Sequence, residues 1–235
     1  MSTYILVHGA WHGGWCWHKV VARLQALGHT VLAPDLPGHG IDRTPPAETT
    51  LESMTGSICA LLDAAEEPVI LAGHSFGGTI ITQAAEWRPA KIRRLIYVAA
   101  FVPQNGDSTG KLGAADPDTL LNAAMVVAPD RKTATLKPEA LKAALFGKSP
   151  DDALALARAL LVPEGLAGFR AAVSTTAGAW GMVPRRYVIC TADKAVGPAL
   201  QRKMAAGSEQ VTELAADHSP YFSAPDELAA ALAAD

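Results

Sequence analysis

Residues 69–78 read Val69-Ile70-Leu71-Ala72-Gly73-His74-Ser75-Phe76-Gly77-Gly78. A short apolar run ends at Gly73, a serine follows two residues later between glycines, and an amphipathic stretch then begins. This G-x-S-x-G pattern is typical of a nucleophile elbow, in which a strand turns sharply into a helix and displays a serine hydroxyl. Gly73 and Gly77 fit such a turn because a Cβ at either position would collide with adjacent backbone. The stretch therefore predicts that Ser75 is a nucleophile.

The composition bounds the class of protein. The chain has 235 residues, 49% of them hydrophobic and 18% charged, which is enough apolar material for a buried α/β core. A net charge of −3 provides no basic surface for nucleic acid or a membrane. There is no run of 18 apolar residues and no leader before the strand pattern at Tyr4, and three widely spaced cysteines indicate reduced thiols. We therefore expect a cytoplasmic protein. The sequence leaves both a monomer and a homodimer as alternatives.

Short apolar runs alternate with helical patterns along most of the chain. The predicted strands are Tyr4–His8, Thr30–Pro34, Pro68–Ala72, Arg94–Ala99, Arg186–Thr191 and Val211–Leu214. The predicted helices are Trp17–Leu27, Leu51–Ala65 with a capping box of Thr49 and Glu52, Phe76–Trp87, Pro198–Ala206 and Asp226–Ala234. This alternation predicts a mostly parallel sheet with helices on both faces.

One long segment interrupts the alternation. Between Gln104 and Val183 we find no convincing strand, and helical patterns lie near 118–125, 138–145 and 151–161. The segment is too apolar for a disordered loop and enters after the strand that follows the elbow helix. We expect a small helical cap, residues 104–183, over the strand ends where ligands bind, on a core of residues 1–103 and 184–235.

A serine nucleophile needs a base, which is usually histidine. His218 is the best candidate because it directly follows the last predicted strand, in a loop that opens on the same sheet edge as the elbow. His39 also follows a strand and is the rival, although its Pro-Gly surroundings equally fit a structural turn. His74 lies within the elbow, where a structural role is favoured over proton transfer.

The imidazole in turn needs a carboxylate. Asp193 follows the strand before the last and produces the chain order Ser75, Asp193, His218, the order typical of an elbow serine in a parallel sheet. Asp217 and Asp35 are rival acids. Asp217 adjoins the histidine and would point away from it, and Asp35 precedes the serine.

An oxyanion hole needs two backbone donors. We predict the N–H of Phe76, directly after the serine, and the N–H of Ala10, in the loop after the first strand, where Gly9 permits close approach. The glycines of that loop do not have dinucleotide-binding spacing. His8 and His12 lack a third ligand for zinc, so we predict no metal and no cofactor.

Five motifs resemble those of a known superfamily. In chain order they are His8-Gly9-Ala10-Trp11-His12-Gly13-Gly14-Trp15, Asp35-Leu36-Pro37-Gly38-His39-Gly40, Gly73-His74-Ser75-Phe76-Gly77-Gly78, Cys190-Thr191-Ala192-Asp193-Lys194 and Ala216-Asp217-His218. Together they resemble the α/β-hydrolase fold, and within it the branch of plant methylesterases and hydroxynitrile lyases with their bacterial esterase relatives.

The resemblance implies a serine esterase that forms an acyl-enzyme and uses water but no cofactor. The lyases of this branch carry a threonine and a lysine where this chain has Gly9 and Ser219, and His74 also resembles the esterases. The expected substrate is a small to medium apolar carboxylic ester. Carbamate or amide hydrolysis by the same residues, and a slow-turnover small-molecule receptor, are the alternatives.

The substrate pocket is the least determined part of the sequence. An apolar insertion predicts an apolar pocket. The candidate lining residues are Gly9, Trp11, His74, Phe76, Phe101, Leu120, Met125, Leu145, Leu160, Phe169 and Trp180.

Overall fold

A computed structural model describes residues 1–234 of the protein. Six strands form one sheet: β1 (Thr3–Val7), β2 (Thr30–Leu32), β3 (Val69–His74), β4 (Ile92–Val98), β8 (Arg185–Cys190) and β9 (Gln210–Leu214). Their order in the sheet is β2-β1-β3-β4-β8-β9, and every pairing between these strands is parallel in the described chain. The predicted α/β fold with a parallel sheet is confirmed, and all six predicted strands are present.

Helices cover both faces of this sheet because strand side chains alternate between them. The α-helices of this part are α1 (His18–Ala26), α2 (Leu51–Ala64), α3 (Gly77–Trp87), α9 (Pro198–Met204), α10 (Pro220–Ser223) and α11 (Pro225–Ala233). Tyr4 and Leu6 of β1 pack with α1 and α11, whereas Ile5 and Val7 pack with α2 and α3. Short 3-10 helices lie at Gly14–Trp17, Pro46–Glu48, Pro89–Lys91 and Trp180–Met182.

The capping box of α2 lies one residue later than predicted. Thr50 and Ser53 form it, each accepting a hydrogen bond from the other's backbone N–H. The prediction of Thr49 with Glu52 was wrong because the Thr49 hydroxyl instead donates to the Pro46 carbonyl and closes the preceding 3-10 turn.

The segment between β4 and β8, residues 99–184, is called the insertion below. It contains five α-helices, the 3-10 helix Trp180–Met182 and three short strands. The bounds of the α-helices and strands are α4 (Thr109–Ala114), α5 (Leu121–Ala124), β5 (Met125–Val127), β6 (Thr133–Leu136), α6 (Leu141–Ala144), α7 (Asp151–Leu160), β7 (Glu164–Gly165) and α8 (Leu166–Arg170). The three strands form an antiparallel sheet in the order β5-β6-β7. The prediction that the insertion lacks strands was wrong, because strands of two to four residues are too short to show alternation.

The insertion is tied to the core beside the last strand by a buried carboxylate. One oxygen of Asp217 accepts hydrogen bonds from the backbone N–H of Lys148 and from both the N–H and the hydroxyl of Ser149. Its other oxygen accepts from the Ser219 N–H and the Ser223 hydroxyl. Asp217 therefore joins the insertion to the loop that carries His218.

Among the helices of residues 1–234, none combines the length and the apolar character that a membrane span requires.

We predict that Asp217→Asn lowers the free energy of unfolding by about 2–3 kcal/mol, because an amide nitrogen cannot accept and leaves buried N–H donors unsatisfied. Urea denaturation measures this change. Asp151→Asn is the matched control, since its side chain is 96% exposed and should change stability little. An equal, small effect of both substitutions would contradict the anchoring role.

Candidate active site

Ser75 lies on a sharp turn between β3 and α3. Its backbone has φ of 53°, in the left-handed region that a non-glycine residue rarely adopts. The turn is held because the Ser75 carbonyl accepts hydrogen bonds from the N–H groups of Gly78 and Phe101. Helix α3 begins so close to β1 that a Cβ on Gly77 would lie 2.6 Å from the His8 carbonyl oxygen. This packing places the serine beside the loop that follows β1.

Ser75, His218 and Asp193 form one chain of hydrogen bonds. His218 Nδ1 lies 2.7 Å from Asp193 Oδ2, and His218 Nε2 lies 3.1 Å from the Ser75 hydroxyl oxygen. Since the carboxylate accepts, Nδ1 carries the hydrogen and Nε2 is free to accept a proton from the serine. The structure thus brings together three residues from three separate loops.

The Asp193 carboxylate is held by four donors. Its Oδ1 accepts from the N–H groups of Ala195 and Val196, at 2.7 and 2.9 Å. Its Oδ2 accepts from His218 and from the side-chain amide of Gln201, at 2.9 Å. Sequence reasoning missed Gln201, which lies in α9 and belongs to no motif that would have indicated it.

The rival residues have other partners. Asp217 binds the insertion, and Asp35 accepts from the N–H groups of Gly14 and Ile41. His39 Nε2 contacts the carboxylate of Glu164 at 2.9 Å, and its Nδ1 contacts the Pro37 carbonyl. Asp217, Asp35 and His39 do not face Ser75, so the geometry favours His218 as the base and Asp193 as the carboxylate that orients it.

Two buried imidazoles hold the loop after β1. Since the Leu36 N–H donates to His8 Nε2, His8 Nδ1 carries the hydrogen and donates to the Gly9 carbonyl at 2.8 Å. His12 Nδ1 donates to the Ala10 carbonyl at 2.8 Å. Burial lowers the pKa of His8 well below its ordinary value and that of His12 to about 4. Both rings are therefore neutral donors that orient backbone.

The buried ring of His74 packs against His218, with the two ring centroids 4.7 Å apart. Its Nε2 donates to the His218 carbonyl at 2.7 Å, and burial, followed by the neighbouring His218, holds the pKa of His74 well below its ordinary value. The sequence predicts that His74 contacts substrate, whereas the structure directs its ring to the backbone of His218, which it supports.

A cavity of about 270 Å³ opens beside the serine. Its lining consists of Ala10, Trp11, Ser75, Phe76, Phe101, Thr109, Gly110, Gly113, Ala114, Leu121, Asn122, Met125 and Phe169. Within residues 1–234, the N–H groups of Ala10 and Phe76 donate to no protein acceptor, and both residues border this cavity. The arrangement offers two free amide donors next to the serine hydroxyl.

Several expected pocket residues lie elsewhere. Leu120 is 42% exposed, and the next residue, Leu121, lines the cavity instead, because successive helical positions point in different directions. Trp180 packs over Arg185 and donates its indole N–H to the Tyr97 hydroxyl, since its 3-10 helix lies along α3. Gly9 contacts the serine: a Cβ there would lie 2.8 Å from Ser75 Cβ.

Leu145 and Leu160 are also absent from the cavity wall. Leu145 is buried among the side chains that pack with α1 and α11, and Leu160 is 40% exposed at the end of α7. The expected residues that do line the cavity are Trp11, Phe76, Phe101, Met125 and Phe169.

His39 and Glu164 form a buried ion pair, with side chains only 1% and 0% exposed. Both ring nitrogens of His39 face oxygen acceptors, Glu164 and the Pro37 carbonyl, so both carry hydrogen. Burial alone would lower the pKa of His39, but the hydrogen bond and charge of Glu164 outweigh burial and raise it. This imidazolium contrasts with the neutral His8 and His12.

The parallel sheet, the elbow serine and the order of the site residues are typical of one class, the α/β hydrolases. Residues 4–231 match the alpha/beta hydrolase family, and the chain belongs to it. It is 34% identical to Methylesterase 7 of Arabidopsis thaliana, over 98% of this chain and 95% of that protein. It is 33% identical to a carbendazim hydrolyzing esterase of Nocardioides sp. (strain SG-4G), over 100% and 99% of the two chains.

Solved structures agree with the sequence relatives. A pyrethroid hydrolase from Sphingobium faniae JZ-2 superimposes with a TM-score of 0.87 at 28% identity, covering 99% of this chain and 96% of that chain. The likeness extends over the sheet and the insertion together.

We predict that the His39–Glu164 pair makes stability depend on pH. A raised pKa means that the pair stabilises the fold fully below the ordinary value of about 6.5, and that this contribution is lost as pH rises through the folded pKa. The unfolding free energy of the wild type minus that of His39→Gln should therefore shrink with rising pH, as measured by urea denaturation. In a Glu164→Gln background this decrease should be lost and turn toward an increase below about pH 6.5, because burial then lowers the pKa of His39. With Glu164 present, a difference that grows with pH would contradict the charged pair.

Proposed function

We propose that this chain hydrolyses carboxylic esters through an acyl-enzyme on Ser75, with His218 as base and Asp193 as the acid that orients it. The observation that carries the proposal is the hydrogen-bonded chain of these three residues beside two free amides in one cavity. The named relatives are methylesterases and esterases, and the chain is accordingly a carboxylic-ester hydrolase.

Acylation follows from the geometry. An ester carbonyl carbon lies against the Ser75 hydroxyl, with its oxygen directed at the N–H groups of Ala10 and Phe76. His218 Nε2 takes the hydroxyl proton as the C–O bond forms, and Asp193 stabilises the resulting imidazolium. The two amides stabilise the negative oxygen of the tetrahedral intermediate. His218 then donates its proton to the departing alcohol.

Deacylation uses the same groups in reverse. A water molecule takes the place of the alcohol and gives a proton to His218 Nε2 as it attacks the acyl carbon. Collapse of the second tetrahedral intermediate breaks the bond to Ser75 Oγ, which recovers the proton from His218. The carboxylic acid leaves, and the enzyme is restored without any cofactor.

The cavity favours small to medium neutral esters. Its volume of about 270 Å³ corresponds to roughly nine volumes of liquid water, enough for a ligand of about ten non-hydrogen atoms. Its described lining contains no Asp, Glu, Lys or Arg side chain. A charged group on the substrate would therefore be desolvated without a partner, which is costly.

We predict that Ser75→Ala lowers kcat on p-nitrophenyl acetate by at least about 10⁴-fold, because the nucleophile is removed. Steady-state kinetics measure the loss, and a phosphonate ester should add its mass to the Ser75 peptide of the wild type alone. Ser57→Ala is the matched control, since its hydroxyl only donates to the Met54 carbonyl in α2. Turnover by the Ser75 variant above a tenth of the wild-type rate would overturn the proposed mechanism.

A second prediction concerns the length of the acyl chain that the cavity accepts. Gly113 of α4 borders the cavity, and a Cβ there would lie 3.7 Å from the Phe101 ring. Gly113→Leu should therefore fill cavity space and lower the kcat/KM of an octanoate relative to an acetate by about tenfold or more. Gly56→Leu is the control, because nothing lies within 4 Å of a Cβ at that position. An unchanged octanoate-to-acetate ratio would show that acyl chains do not occupy this cavity.

A further inference from the structure

Trp11 directly follows Ala10 and has a left-handed backbone with φ of 62°. Its three polar groups all bind the insertion. The Trp11 N–H donates to Glu164 Oε2 at 3.0 Å, the indole N–H donates to the Ala134 carbonyl at 2.9 Å, and the Trp11 carbonyl accepts from the Val162 N–H at 3.0 Å. The insertion therefore holds the residue next to a proposed oxyanion donor in an otherwise unfavourable conformation.

Among these partners, Glu164 has a buried charged side chain, whose burial destabilises the folded state when the charge is unpaired. Its side chain is fully buried, and Oε2 accepts from both Trp11 and His39 while Oε1 has no partner within residues 1–234. A buried carboxylate is strongly destabilising unless it is paired. The His39 imidazolium supplies the opposite charge, so the pair as a whole places no net charge beside the oxyanion loop.

Two successive peptide groups determine where the Ala10 N–H points. The peptide that contains this N–H has its carbonyl held by His8. The next peptide has its carbonyl held by His12 and its N–H, that of Trp11, held by Glu164. Because peptides are planar, only the two backbone dihedral angles of Ala10 lie between these groups. Holding both planes therefore fixes the direction of the Ala10 N–H.

We propose that Glu164 is a positioning residue that aligns the oxyanion hole from the insertion, through its hydrogen bond with the Trp11 N–H. The proposal rests on the proposed function, because it assigns Ala10 as an oxyanion donor. Without this acceptor only His12 holds the Trp11 peptide, so its plane can rotate about that hydrogen bond and the Ala10 N–H is no longer held toward the developing negative charge. This loss affects the transition state more than the bound substrate.

The test compares substitutions that differ in whether an acceptor remains. Glu164→Met keeps the length of the side chain but removes the acceptor, and it should lower kcat on p-nitrophenyl acetate by on the order of ten- to a hundredfold. Its KM should stay within about threefold of the wild type. Glu164→Gln retains an amide oxygen and should recover most of the kcat. Glu139→Met, an exposed site of the insertion, is the matched control.

Thermal unfolding establishes that each variant is folded at the assay temperature. If Glu164→Met does not fold, Glu164→Asp decides, because its shorter side chain withdraws the carboxylate and should lower kcat with little change in KM. Wild-type kcat in a folded Met or Asp variant overturns the proposal, as does a loss that Gln does not recover. The proposed function is tested separately: loss of activity in Ser75→Ala with full activity in the Glu164 variants refutes only the positioning role.

Discussion

The site depends on the close contact between the start of α3 and the end of β1. Gly77 lies against the His8 carbonyl, where a Cβ would come within 2.6 Å, so only glycine permits the approach. This contact brings the loop after β1 beside the elbow and places the amides of Ala10 and Phe76 on one cavity. A larger residue at position 77 would separate the Ser75 hydroxyl from the free N–H of Ala10.

The hydrogen-bond partners of the buried histidines determine which of their rings are neutral and which is charged. His8, His12 and His74 face carbonyl groups and remain neutral, because burial disfavours the charged ring. His39 faces a carboxylate and is charged. The ring that packs against His218, that of His74, is thus uncharged, and the three neutral rings donate hydrogen bonds that hold backbone carbonyl groups.

Besides lining the cavity, the insertion holds the loop after β1, a contact that its composition did not predict. Its apolar content predicted a covering layer, and Met125 and Phe169 do line the cavity. The bond between Glu164 and the Trp11 N–H joins residues 153 positions apart. Glu164 lies in a two-residue strand without periodicity, and an isolated glutamate in an irregular segment resembles a solvated surface charge.

The sequence by itself determined the parallel sheet, the elbow at Ser75 and the order Ser75, Asp193, His218. These follow from local patterns, since apolar runs mark strands and residues that follow parallel strands meet at one sheet edge. Only the tertiary structure decided the support of Asp193 by Gln201, the clamp of Glu164 on Trp11 and the cavity wall. These contacts depend on long-range packing of short, irregular segments. Because such segments have no hydrophobic periodicity, the sequence does not indicate which of their residues come into contact.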